Sequence, residues 1–116
     1  MRIAVIEPNQ DDLFLIEHLL RQCNHKVICI SHSKGAMALG PNEADAIIME
    51  YDQGPDNPSA ADICWTAVTW KRWVPCLVHT DHPDRIRAEL FPPNTAYREK
   101  GKDFKYIIDF LKLVQQ

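Results

Sequence analysis

Apolar and polar positions change period in blocks along this chain. "RIAVI" (2–6) is a short β-branched run bounded by Pro8 and Asn9, the pattern of a buried strand. In the following "NQDDLFLIEHLLRQC", Leu13, Ile16, Leu19, Leu20 and Cys23 recur at helical spacing, with acids at the N-terminal end where the helix dipole favours them. "HKVICIS" (25–31) is a second strand, and "KGAMALG" (34–40) a short helix weakened by Gly35 and stopped by Gly40-Pro41. "ADAIIM" (44–49) is the third strand, and the turn-formers of "QGPDNPSAAD" lead into a helix over 59–73 with Ile63, Thr66, Ala67, Trp70 and Trp73 on one face. "VPCLVH" (74–79) is the fourth strand, a short helix is predicted near 82–89, "TAYRE" (95–99) is the fifth strand, and "KDFKYIIDFLKLVQQ" closes the chain as a helix.

Strand and helix alternate five times, which predicts an α/β domain with one parallel sheet and helices on both faces. Ligands in such open sheets gather at the carboxyl ends of the strands. At 116 residues the chain is one domain, 1–116, long enough to bury a core without staples. Its 46% hydrophobic and 25% charged residues are ordinary for a globular protein. The formal charge of −3 argues against nucleic acid as a partner, because the densest basic stretch, "YREKGKDFK", carries acids among its bases. No apolar run approaches the ~20 residues that span a bilayer. "MRIAVIEPNQ" is too short and too soon acidic for a signal peptide, so a cytoplasmic location is expected. Cys23, Cys29, Cys64 and Cys76 form no C-x-x-C pair and read as free, mostly buried thiols. "HTDH" (79–82) reads as a polar surface loop rather than a metal site.

The residues that end the strands are Glu7-Pro8, Glu50 and Thr80, with Lys100 after the fifth. By chemistry alone two carboxylates, a lysine and a hydroxyl suggest a metal and phosphate site, or else four polar residues that each cap a strand in solvent.

In order and spacing this chain resembles, over essentially all of its length, the receiver domain of bacterial response regulators, a flavodoxin-like (βα)5 fold. That family carries an acidic pair after strand 1, a phosphoryl-accepting Asp at the end of strand 3, a Thr or Ser after strand 4 and a Lys after strand 5. Glu7 stands at the first acid, Glu50 at the phosphoacceptor, Thr80 thirty positions on and Lys100 twenty after that. Tyr97 falls where the family places an aromatic that changes rotamer on activation. The resemblance implies a signalling module of two-component type rather than an enzyme, with protein partners. It implies Mg²⁺ held by Glu7, Glu50 and the backbone of Asp52.

The departures bear on that chemistry. The second acid is Pro8, which offers no carboxylate, and Gly101 stands where a Pro commonly follows the Lys. Glu50 carries its carboxylate one methylene further out than Asp, roughly 1.5 Å, and such a misplacement can cost about a hundredfold in an in-line attack. Mg²⁺ binding is expected to be weak or lost. Two readings of Glu50 follow. In one, Glu50 and Lys100 form a standing ion pair that holds Thr80 and Tyr97 in an active-like arrangement without a kinase. In the other, Glu50 merely satisfies Lys100 in a decayed site. An alternative keeps Mg²⁺ and takes phosphate on Asp52 or Glu50. A small flavodoxin-like enzyme or nucleotide-binding protein is disfavoured, because "EPNQDD" has no glycines to cradle phosphates.

The last helix carries two stripes. Phe104, Ile107, Ile108, Leu111 and Val114 are expected to face the sheet, while Tyr106, Phe110 and Leu113 form a surplus stripe. That second stripe is expected to be a partner or homodimer surface, on the helix 4–strand 5–helix 5 face that receivers commonly use. A receiver followed by an output domain and a free-standing one would both end as this chain does.

Overall fold

A computed structural model describes residues 1–70, 72–101 and 103–115. Strand β1 (Arg2–Ile6) is followed by helix α1 (Gln10–Gln22), β2 (Lys26–Ile30), a single-turn α2 (Ser33–Ala36), β3 (Ala46–Glu50), α3 (Ala60–Val68), β4 (Cys76–Thr80), β5 (Ala96–Glu99) and α4 (Lys105–Val114). The five strands form one parallel sheet in the order β2-β1-β3-β4-β5. Alternate residues of a strand point to opposite faces, and the core accordingly divides in two. Ile3, Val5, Ala46, Ile48 and Leu77 pack with α1 and α4, while Ala4, Ile6, Ile47, Met49 and Val78 pack with α2 and α3. The helices on both faces and the parallel sheet are those the alternation predicted.

Local chemistry sets the helix ends. The Asn9 side chain accepts from the Asp12 N–H to begin α1, and a reciprocal capping box joins Ser59 and Asp62 at the start of α3. Helix α3 stops at Val68, short of the predicted 73, and position 71 lies outside the described residues. The Thr66 and Thr69 hydroxyls bond carbonyls three and four residues back and compete with helix continuation. As a result Trp73 is 66% exposed instead of facing the core. The helix expected near 82–89 is two 3₁₀ turns, Pro83–Arg85 and Ala88–Leu90. Ile86 is extended and separates the two turns, and Phe91, which precedes Pro92, is extended and ends the second, since the residue before a proline avoids the helical region. Of the predicted 102–116 helix, positions 102 and 116 lie outside the described residues. Cys64 and Cys76 are buried, but Cys23 and Cys29 are exposed.

At the other end of the sheet Asp45 ties three segments together. It accepts from the Arg2 backbone N–H at 2.8 Å and guanidinium at 3.1 Å, and from Arg72 at 2.8 Å. The Arg2 and Arg72 guanidiniums hold the Asp45 carboxyl well below the usual carboxylate range. Asp45→Asn is expected to lower stability by about 1–2 kcal/mol, after discounting for partial exposure. Because the folded pKa is depressed, the wild-type advantage is complete above about pH 5 and is lost as pH falls through the folded value. Urea unfolding of both proteins across that range measures it.

Candidate functional site

The strand order reverses between β1 and β3, and the crevice at such a reversal, beyond the carboxyl ends, is where this class of sheet forms sites. Glu7 lies one residue past β1, Glu50 and Thr80 end β3 and β4, and Lys100 follows β5. Glu7 and Lys100 are almost fully buried, and Glu50 is 8% exposed. The Lys100 Nζ sits 2.8 Å from Glu7 Oε1, 2.9 Å from Asp12 Oδ2 and 3.0 Å from Glu50 Oε1. One ammonium thus joins three carboxylates carried by β1, the first turn of α1 and β3. The other oxygens of the two glutamates accept from backbone amides, Glu7 Oε2 from the Asn9 N–H and Glu50 Oε2 from the Asp52 N–H.

These contacts set the protonation states. Burial alone would raise the Glu7 pKa, but the His79 ring, the Lys100 ammonium and the Asn9 amide overcome it and hold the carboxyl below its ordinary value. Burial likewise works against a charged Lys100, and Glu7, Asp12 and Glu50 overcome that and raise its pKa well above the ordinary lysine value. Both shifts favour the charged forms of Glu7 and Lys100.

The expected Glu50–Lys100 ion pair is therefore present, and the geometry adds Asp12, which the spacing of strand ends gave no reason to include. Thr80 and Tyr97 do not join it. The Thr80 hydroxyl accepts from the His82 N–H at 3.2 Å. Tyr97 packs edge-on against Phe91 at 5.6 Å. Among the described residues neither side chain is hydrogen-bonded to Glu50 or Lys100, although the Lys100 backbone N–H donates to the Thr80 carbonyl at 2.8 Å. Asp52 has an exposed side chain whose Oδ1 accepts from the Gly54 N–H. Gln53, unremarked in the sequence, is buried and links β3 to α2 by accepting from the Ser33 N–H and donating to the Glu50 carbonyl.

A divalent cation does not fit these residues as they stand. The Glu7 and Glu50 carboxylate oxygens that would ligate it already face an ammonium or accept from backbone amides, Pro8 supplies none, and among the described residues no group of three or more potential ligands is arranged to hold a metal. A cavity of about 450 Å³ opens above the cluster, lined in part by Glu7, Glu50, Asp52, Thr80, Arg85 and Phe91.

The surplus stripe of the last helix is corrected. Phe110 is 6% exposed and belongs to the same apolar cluster as Leu13, Ile16 and Leu20 of α1. Tyr106 is half-buried, and its hydroxyl lies 2.6 Å from His79 Nδ1. Only Leu113, 63% exposed, points outward. With no α-helix between β4 and β5, the expected helix 4–strand 5–helix 5 face does not exist in that form. The large exposed apolar side chains lie partly elsewhere, at Trp65, Val68 and Trp73 around the end of α3.

No family model and no curated protein sequence matches the chain. Solved structures do. The receiver domain of the TMAO respiratory system response regulator TorR is 16% identical, with 98% of this chain and 95% of that one covered and a TM-score of 0.80. A CheY-like receiver domain from Methylobacillus flagellatus is 16% identical over 98% of both chains, with a TM-score of 0.79. The response regulator TrrA from Thermotoga maritima, solved in complex with Mg²⁺ and BeF, is 14% identical over 97% of both, with a TM-score of 0.78. No helix among the described residues is long and apolar enough to cross a membrane. From end to end, this chain has the flavodoxin-like fold of response-regulator receiver domains.

Proposed function

We propose that the chain is a receiver-type signalling module that works through protein contacts, with a partner or a second copy, and without phosphoryl transfer or a divalent cation. The observation that carries this reading is the Lys100 ammonium, 2.8–3.0 Å from Glu7, Asp12 and Glu50. In this position the lysine supplies a positive charge that the buried carboxylates share, in the place where an external cation would otherwise sit. Glu50, held by Lys100 and the Asp52 N–H, is not free to attack phosphorus. Exposed Trp65, Val68 and Trp73 support a role in protein contact.

Amide NMR titration with Mg²⁺ and then beryllofluoride tests the reading. The expected result is no saturable shift at residues 7, 12, 50, 80 or 100; a specific response there overturns it in favour of a receiver that still takes a phosphoryl group. Glu50→Gln tests the locked charge. It is expected to weaken self-association or partner binding, and unchanged binding would make Glu50 a remnant.

A further inference from the structure

His79 lies between the ammonium cluster and the last helix, and the reading above gives it no part. It is fully buried. Its Nδ1 is 2.6 Å from the Tyr106 hydroxyl, and its Nε2 faces Glu7 Oε1 at 3.4 Å. The arrangement that gives both ring nitrogens a partner has Tyr106 donating to Nδ1, with the ring proton on Nε2 directed at the carboxylate. That second contact is loose. Among the described residues, His79 Nε2 and Glu7 Oε1 are the buried side-chain atoms without a well-aligned hydrogen bond. A continuous line of polar contacts thus runs from Lys100 through Glu7 and His79 to Tyr106 on α4.

The helix end of this line is strained. Phe104, the residue that precedes α4, has φ 56° and ψ 18°, a left-handed conformation that residues other than glycine seldom adopt, and it provides no side-chain cap. Its buried ring lies 6.0 Å from His79 and 6.2 Å from Tyr106, while His79 meets Tyr106 edge-on at 5.9 Å. Such backbone persists only where its surroundings over-determine it, and here those surroundings are a cluster of three rings with His79 at its hinge.

We propose that His79 couples the seating of the Glu7 side chain to that of the first turn of α4, so that Tyr106, rather than Tyr97, is the aromatic that reports the state of the site. The inference rests on the proposed lysine-held site for what seats Glu7. Replacing the Glu7 carboxylate by an amide weakens and re-aims the acceptor facing the Nε2 proton, frees the imidazole to turn, loosens Tyr106 and lets Phe104 leave its left-handed conformation. Coupling is reciprocal, so loosening Tyr106 disturbs the site by the same free energy. Tyr97 has no such route, since its ring packs against Phe91 on the other side of the sheet.

A double-mutant cycle on the whole chain, in the presence of a chelator, tests this by amide hydrogen exchange at residues 107 to 110. Glu7→Gln is expected to speed exchange there roughly tenfold. Tyr106→Phe, which removes only the hydroxyl, is expected to do so several-fold. The double variant should exceed the larger single effect little, if at all. Additive effects, or a Tyr106→Phe protein with unchanged exchange, overturn the coupling. If Glu7→Gln does not fold, Tyr106→Phe still decides the matter: the His79 ring-nitrogen and Lys100 ammonium signals must both move, and a Lys100 signal that stays in place overturns the proposal. The chelator separates this test from the previous one. A site that responds to Mg²⁺ would remove the charge-locked reading and leave the result of the cycle standing.

Discussion

Lys100→Met is expected to remove a large part of the chain's stability at neutral pH. The substitution keeps a side chain of similar length and removes the one ammonium that faces Glu7, Asp12 and Glu50. Two of those carboxylates are nearly or wholly excluded from water. Breaking a buried ion pair from one side costs about 3–5 kcal/mol, because the partner charge is left uncompensated. Small domains have only about 5–15 kcal/mol in total. The variant's response to pH should run opposite to that of the wild type. In the wild type the folded pKa of Glu7 is depressed, so its contribution is present above the unfolded value and lost as pH falls through the folded one. In the variant, burial and mutual repulsion raise the folded pKa values of the stranded carboxyls. Their penalty is then relieved as pH falls toward the unfolded value, and the variant gains stability on mild acidification. Urea unfolding near neutrality and at about pH 5 tests both claims. A midpoint equal to that of the wild type at neutral pH would show that the cluster is not a buried charge network.

The second large effect is at Phe110. Phe110→Asp is expected to cost about 4 kcal/mol, the sum of a lost aromatic in the core and a carboxylate placed among apolar neighbours. Phe110 is buried with Ile16, Leu20, Ile107 and Leu111 between α4, α1 and the sheet. Leu113→Asp, three residues on and 63% exposed, should change stability by less than about 0.5 kcal/mol. Thermal or urea unfolding of the two variants side by side decides whether the second stripe is core or surface. If Phe110→Asp folded normally and altered only association, the packing described for α4 would be wrong.

Much of this molecule is legible from residue order. The strands of a parallel sheet are covered on both faces, so "RIAVI" and "ADAIIM" declare themselves as short, nearly continuous apolar runs. Helix α1 shows the spacing of its buried residues and the acids of its first turn. Glu7, Glu50, Thr80 and Lys100 could be placed because each ends or follows a strand, and parallel strands bring those ends to one edge. The helix expected between β4 and β5 is interrupted locally, at Ile86 and at Phe91 before Pro92, both of which are extended.

What chain order did not contain is which side chains meet across the sheet. Asp12, in the first turn of α1, and Lys100, just past β5, are 88 positions apart and touch because both lie at the carboxyl edge of the sheet. Glu7, Glu50 and His79 point to that face by alternation from Val5, Ile48 and Leu77, whereas Thr80 alternates to the other. Tyr106 and Phe110 read as a surplus stripe only on the assumption that a helix on a sheet buries one side. Here α4 also lies against α1 and the end of β4, and a second side is covered. Local periodicity determined the elements, their order and the residues at the strand ends. The tertiary structure alone decided that three carboxylates share one lysine and that a buried histidine joins them to the last helix, because such contacts depend on which elements pack on the same face and not on separation along the chain.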